Sequence, residues 1–411
     1  MTTLERSVNH LIAACSARPG DDPIFSLNAE ATRRAKAGEA ILNATLGALM
    51  EDDGTLAVMP SVFEALRAVQ PAQAAAYAPI AGVPRFLKAV ARDLFAEVGC
   101  ADSCVAAATP GGTGALHHAL VNFLEPGQAL LTSSYYWGPY QTLADHTRRG
   151  LETFEMFDAS GAFNGAAFER ALLAQMERQR RALVFLNTPC HNPTGYSLDE
   201  REWLQVRDSV ARAARLGPVT LLVDYAYARF AAPGSFAWQT LAREIAEHAL
   251  LLVAWTASKS HAQYGARIGA LVALSHDEAE RERIRQALSY SCRGTWSNCN
   301  HLGQLALAEL LEDAGLRARA DRERERLRAL LGSRVVAFNR EAAAAGLRYP
   351  RYEGGFFVTV FTRDVARTHD ALRQRGVYTV PLAGAVRVAL CSTPVHDVPR
   401  LVRELAEATR A

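Results

Sequence analysis

Lysine is almost missing from this chain. Of 45 basic residues among 411, only Lys36, Lys88 and Lys259 are lysines; the rest are arginines. A charge excess is missing too. The formal net charge is +2, which gives no footing for a nucleic-acid or membrane partner. Seven cysteines form no CxxC pair, and their number is odd, so a metal or disulfide framework is not expected and a reducing cytoplasm fits. No apolar run approaches transmembrane length, and the first twenty residues, with Glu5 early and no long apolar centre, read as a poor signal peptide. There is no internal repeat, no low-complexity linker, no Walker loop and no strict G-x-G-x-x-G.

Against that background Lys259 stands out. It lies in "AWTASKSHAQYGARIG" (254–269), among small residues just after an apolar run. A guanidinium keeps its proton in a protein, whereas a desolvated lysine can lose one. The neutral amine is a nucleophile able to form a Schiff base.

The chain alternates. Helical spacing marks 25–40, 60–69 and 84–98, the last two opened by proline, which a first helical turn tolerates. From about residue 105, short apolar runs ("QALLTS", "ALVFLNT", "VTLLVDYA", "ALLLVAWT", "GALVAL") sit between helical stretches such as 165–178 and 198–215. Fully apolar strands between helices predict a mostly parallel sheet covered on both faces. One long charged amphipathic helix is expected at roughly 300–332, its Arg/Glu-rich part a solvated face. Shorter strands ("GFFVTVF", "AVRVALC") and helices at 366–376 and 395–410 read as a separate α+β unit.

Several strand ends carry chemistry. "ATPGGTGALHHAL" (108–120) is either a tight turn or a backbone cradle for phosphate at a helix N-terminus. "LLVDYAYARF" ends a strand in Asp224, with Tyr227 three residues on; such an Asp is a turn former or a partner for a protonated heteroaromatic nitrogen. "NTPCHNPTGYSLDE" is a plain loop or one that aims the Asn192 amide into the same crevice, with His191 a structural hydrogen-bonder. Trp137 is core or a flat stacking partner. Together, phosphate loop, stacking aromatic, amide and phenol donors, strand-end carboxylate and nucleophilic lysine make up a pyridoxal phosphate site.

At this point the chain resembles the class I, fold-type-I aminotransferases of the aspartate/aromatic amino acid type. The likeness runs from "DDPIFSLNAEATRRAK" (21–36) to "RVALCSTP" (387–394). It implies a large pyridoxal-phosphate domain at 55–315 and a smaller α+β domain drawn from both chain ends, 1–54 (with an N-terminal arm) and 316–411. It implies that Gly111, Gly112, Thr113, Thr256 and Arg267 hold the cofactor phosphate. Trp137 would stack on the ring, Asn192 and Tyr227 would meet the ring oxygen, Asp224 the ring nitrogen, and Lys259 the aldehyde. Gly47 of "LGALMEDDGTLAVMPSV" would lie beside the substrate, and Arg387 would clamp its α-carboxylate. Tyr77 of "YAPIAG" would cross to the other site of a homodimer and reach its cofactor phosphate, and Arg293 of "RGTWSN" would cross to grip a distal carboxylate. Lys259, Asp224 and Tyr227 are the expected catalytic set. Three positions depart from the family pattern. Cys299 and Asn300 replace two prolines after Ser297 and Asn298, Tyr140 replaces a histidine behind Asp224, and Asn187 stands near another supporting histidine position.

The expected activity is amino-group exchange between an L-amino acid and an oxo acid such as 2-oxoglutarate, in the cytoplasm. Two rivals remain at this stage: an elimination or decarboxylation enzyme with the same cofactor, and a non-catalytic cofactor-binding protein. The second would need an added DNA-binding module, for which the chain has no room.

Overall fold

A computed structural model describes residues 10–410 apart from 17, 19, 21, 22 and 234, and of residues 13 and 14 it describes the backbone only. The leader reading and the first nine residues of the expected 1–54 segment thus lie largely outside the described residues.

Seven strands form the central sheet. Their spatial order is Cys104–Pro110, Ile268–Leu274, Leu250–Thr256, Val219–Asp224, Ala182–Asn187, Ala129–Ser133 and Gly150–Phe154. All neighbours run parallel except Ile268–Leu274, which is antiparallel to both of its partners. Strands Ala182–Asn187, Val219–Asp224 and Ile268–Leu274 are buried along their whole length, because alternate side chains enter two cores. Leu183, Phe185, Leu222, Leu252 and Ala254 face one side with Ala115, Leu116, Ile284 and Leu288 from helices Gly111–Phe123 and Glu278–Gly294. Val184, Leu186, Leu221, Val223, Leu251 and Val253 face the other, with residues of helices Pro84–Phe95, Gly165–Gln179, Glu200–Ala213 and His301–Glu312. This is why the strands read as continuous apolar runs rather than alternating ones.

Val380–Leu382, Ala385–Ala389 and Phe357–Phe361 form a three-stranded antiparallel sheet. Early and late parts of the chain meet in a separate two-stranded sheet, where Leu42–Asn43 pairs in parallel with Val377–Tyr378.

The expected single helix at 300–332 is two. His301–Glu312 ends at Asp313, and Ala314–Ala345 begins there. The Asp313 carboxylate accepts from the Leu316 N–H at 2.7 Å, capping the second helix. That helix also runs past 332, until Gly346 takes a left-handed conformation, φ 69°.

Candidate active site

Parallel strands deliver their C-terminal residues to one edge of the sheet, where ligand sites form. Register places Asn187 opposite Asp224 and Asp224 opposite Ala254. Strand Leu250–Thr256 then runs directly into a single helical turn, Ala257–Ser260, which carries Lys259. The result is a 150 Å³ cavity lined by Gly112, Thr113, Trp137, Asn187, Asn192, Asp224, Tyr227, Thr256, Ser258, Lys259 and Arg267, with Leu116 and Ala226.

One end of this cavity suits an anion. Helix Gly111–Phe123 opens there, and the N–H groups of a first helical turn lack intrahelical partners. Gly111 has φ +70°, and a Cβ on it would collide with the Arg267 guanidinium. A Cβ on Gly269 would come within 2.6 Å of the Gly111 carbonyl carbon, so both glycines are needed for this close approach. The Thr256 and Ser258 hydroxyls are 2.9 Å apart, and Arg267 donates to Ser258 Oγ at 3.4 Å and to the Tyr264 carbonyl at 2.9 Å.

The other end suits a cationic ring nitrogen. Asp224 is buried, and burial pushes its carboxyl above the usual range. The Tyr140 hydroxyl, which donates to Asp224 Oδ2 at 2.7 Å, and the nearby Lys259 oppose that rise. Asn187 donates to the Asp224 carbonyl at 3.0 Å and accepts from the Asn192 N–H at 2.6 Å. Two of the three departures, Tyr140 and Asn187, therefore bear directly on Asp224. Tyr140 also sets its ring edge-on to Trp137, with centroids 5.8 Å apart, which braces the flat wall of the cavity.

Lys259 lies between the two ends, its Nζ 5.2 Å from the centre of the Tyr227 ring. Burial lowers its pKa, Asp224 acts against that shift, and Arg267 adds to it. Burial also raises the Tyr227 phenol, so it stays protonated at neutral pH. Its hydroxyl accepts from Asn192 at 3.3 Å.

Arg387 is 5% exposed and lies on the cavity side of strand Ala385–Ala389. It donates to the Thr45 carbonyl at 2.7 Å and to Asn192 Oδ1 at 3.4 Å, and stacks 4.4 Å over the Phe357 ring. Gly47 packs under the same ring, where a Cβ would stand 2.6 Å from a Phe357 ring carbon. A 620 Å³ cavity continues outward past Trp137, Asn192 and Arg387 to Ile24, Tyr135 and Leu382.

Two expected residues are elsewhere. Tyr77 is 90% exposed, and Arg293 is exposed with its guanidinium 2.7 Å from Ser297 Oγ. Neither lines this chain's cavity. His191 is buried, hydrogen-bonded to Thr194 Oγ1 at 2.8 Å, and burial lowers its pKa to about 3, which matches a structural role. Ser258 and Phe357 were not singled out in the sequence. Ser258 lies in "AWTASKSHAQYGARIG" as a hydroxyl two residues from Thr256, so its signal was available. Phe357 reads only as an apolar strand residue.

An anion cradle, a buried carboxylate, a flat aromatic wall and a desolvated lysine within one cavity define a pyridoxal-phosphate transferase fold and site. The sequence profile of the family "Aminotransferase class I and II" matches residues 41–405, and the chain belongs to that family. It is similar to the tyrosine aminotransferase of Klebsiella pneumoniae, 29% identical over 395 residues, or 92% of this chain and 96% of that one. The aspartate aminotransferase of Pseudomonas aeruginosa is 27% identical over 394 residues, 93% of this chain and 96% of that one. Among solved structures, an aminotransferase from Anaerococcus prevotii superposes with a TM-score of 0.92 at 33% identity, covering 98% of this chain and all of that one. The protein is an aminotransferase, and its cofactor is pyridoxal 5′-phosphate.

Proposed function

We propose that the enzyme exchanges the amino group of an aromatic or dicarboxylic L-amino acid with a 2-oxo acid such as 2-oxoglutarate. The observation that carries this reading is the desolvated Lys259 amine sharing one cavity with Asp224, while Arg387 stands at its mouth. Pyridoxal phosphate, when bound, supplies an aldehyde for the amine and an electron-withdrawing ring that acidifies Cα. Gly111, Gly112, Thr113, Thr256, Ser258 and Arg267 would hold its phosphate, and Trp137 would cover its ring. Asp224 would hold a proton at the ring nitrogen, and Asn192 and Tyr227 would donate to the ring oxygen. Lys259 would carry the aldehyde, release it to the incoming amine and then move a proton between Cα and C4′ as general base and acid.

Arg387, fixed by Thr45 and Asn192, would clamp the α-carboxylate and so orient the Cα–H bond. The aromatic and apolar lining of the outer cavity, with Tyr135, Ile24 and Leu382, suits an aromatic side chain. The exposed Arg293 suits a distal carboxylate, provided that a second chain brings it to the site. We therefore include a homodimer in the proposal, with Tyr77 and Arg293 each reaching the partner's cavity, and a cytoplasmic location. A division into a large domain at 55–315 and a small one from 1–54 and 316–411 belongs to the same reading. The pairing of residues 42–43 with 377–378 supports it.

The test is an amino-donor screen with 2-oxoglutarate, followed by cofactor absorbance. Conversion to the pyridoxamine form by donor alone, reversed by oxo acid, supports the reading. Release of ammonia or carbon dioxide without an acceptor would overturn it in favour of elimination or decarboxylation.

A further inference from the structure

Directly after Lys259, the chain is tied to a distant helix by a hydrogen-bond series whose direction is forced. Arg324, on helix Ala314–Ala345, places NH2 3.3 Å from His261 Nε2. A guanidinium only donates, so Nε2 is the acceptor and the imidazole is neutral, with its proton on Nδ1. His261 Nδ1 is 2.9 Å from Ser260 Oγ and must donate to it. Ser260 Oγ then donates to the Thr256 carbonyl at 2.8 Å. Arg324 Nε independently donates to the Ser260 carbonyl at 2.7 Å, and NH1 to Asp321 at 2.6 Å. His261 is 2% exposed, and Trp255 lies against its ring. Asp93, which accepts from Arg229 at 2.6 Å and from the Trp255 indole at 3.2 Å, closes the far side.

The same helix has a second grip. Ten residues on, about 15 Å along the axis, the fully buried Arg334 donates to the carbonyls of Met50 and Cys391, at 2.7 Å each, and to Asp52 at 2.8 Å. Those segments flank Gly47 and Arg387. One rigid element thus holds the turn bearing the lysine at one point and the frame of the carboxylate clamp at another.

We propose that Arg324, His261 and Ser260 are positioning residues that hold the Lys259 turn against helix Ala314–Ala345 and thereby set the lysine's reach to the substrate Cα. The proposal rests on the role given to Lys259 above. A displacement of about 1 Å at a reacting group can cost on the order of a hundredfold in rate. Arg267 and Thr256 hold the front of this single helical turn through Ser258, and Arg324 holds its end through the Ser260 carbonyl and His261, so loss of the Arg324 donors lets the lysine end shift.

The experiment compares Arg324→Gln, Arg324→Lys and His261→Phe with wild type, all as holoenzyme. Turnover is expressed per bound cofactor, and the isotope effect is read with Cα-deuterated donor. Arg324→Gln is expected to lower kcat by about tenfold to a hundredfold, raise the isotope effect as proton transfer becomes limiting, and leave KM within about twofold. Arg324→Lys keeps one donor and should recover part of the rate. His261→Phe keeps the ring against Trp255, loses the relay and should fall between. Unchanged kcat per site with an unchanged isotope effect in Arg324→Gln would overturn the proposal. So would a fall confined to cofactor content or melting temperature, which is all that a scaffolding role predicts. If Lys259→Ala retained wild-type turnover, the role of Lys259 itself would fail, which is a separate outcome.

Discussion

The cavity around Lys259 and the surface around Tyr77 and Arg293 are built on opposite lines. In the cavity, polar groups are buried and answered within the chain: Asp224 by Tyr140, Asn192 by Asn187 and Tyr227, Arg387 by Thr45. At the surface, an aromatic ring is 90% exposed and, among the described residues, a guanidinium donates to a serine of its own loop. On the proposed reading, one chain supplies most of the cofactor grip and the α-carboxylate clamp, while the partner's phosphate contact from Tyr77 and its distal-carboxylate contact from Arg293 come from residues that the chain presents outward.

The sharpest way to break that comparison is to separate the two regions onto different chains. Lys259→Ala protein and Tyr77→Ala/Arg293→Ala protein should each be inactive toward a dicarboxylate. Mixed under conditions of proven subunit exchange, they should regain activity, because a hybrid dimer holds one intact site. No recovery would mean that each site is complete within its own chain.

Asp224→Ala probes the buried region alone. The protein should stay folded and lose several tenfold steps in the rate of Cα deprotonation, each worth about 1.4 kcal/mol. A half-reaction near the wild-type rate would remove Asp224 from its place at the ring nitrogen.

Arg293→Ala probes the exposed region. Leaving a desolvated carboxylate unpaired costs about 2–5 kcal/mol, so kcat/KM for aspartate or glutamate should fall by roughly thirtyfold to a few thousandfold. Tyrosine or phenylalanine should lose far less. Equal losses for both classes would show that Arg293 does not read the distal carboxylate.

A smaller effect follows from the buried histidines. Burial lowers both His118, under the Trp296 ring, and His191, behind the cavity, to about 3. The unfolded chain takes up these protons near pH 6.5. Their contribution is therefore full above that value and declines as pH falls toward the folded pKa. The melting temperature should drop between pH 7 and pH 5, and His118→Phe, which keeps the ring stack, should flatten the drop. An unchanged slope in the variant would mean that His118 titrates alike in both states.

Much of this was legible in the chain. The strands announced themselves because inner strands covered on both faces must be apolar throughout, and Asp224 and Lys259 stood out as polar residues directly after such runs. The break at Asp313 was harder to see, because an amphipathic pattern continues across it and only the cap marks the stop. The pairing of Leu42–Asn43 with Val377–Tyr378 was invisible as a contact, since two-residue strands have no period to read. Phe357 under Arg387 and the Arg324–His261–Ser260 series join segments far apart in sequence, and their partners become apparent only once the helix and the sheet edge are set side by side.

The central claim is that Lys259 is the lysine that holds the cofactor. Borohydride reduction of the holoenzyme, followed by peptide mass mapping, tests it directly. The account predicts a pyridoxyl adduct on the peptide containing Lys259 and loss of covalent labelling in Lys259→Ala. An adduct on Lys36 or Lys88 in the wild-type enzyme, with Lys259 unmodified, would contradict it.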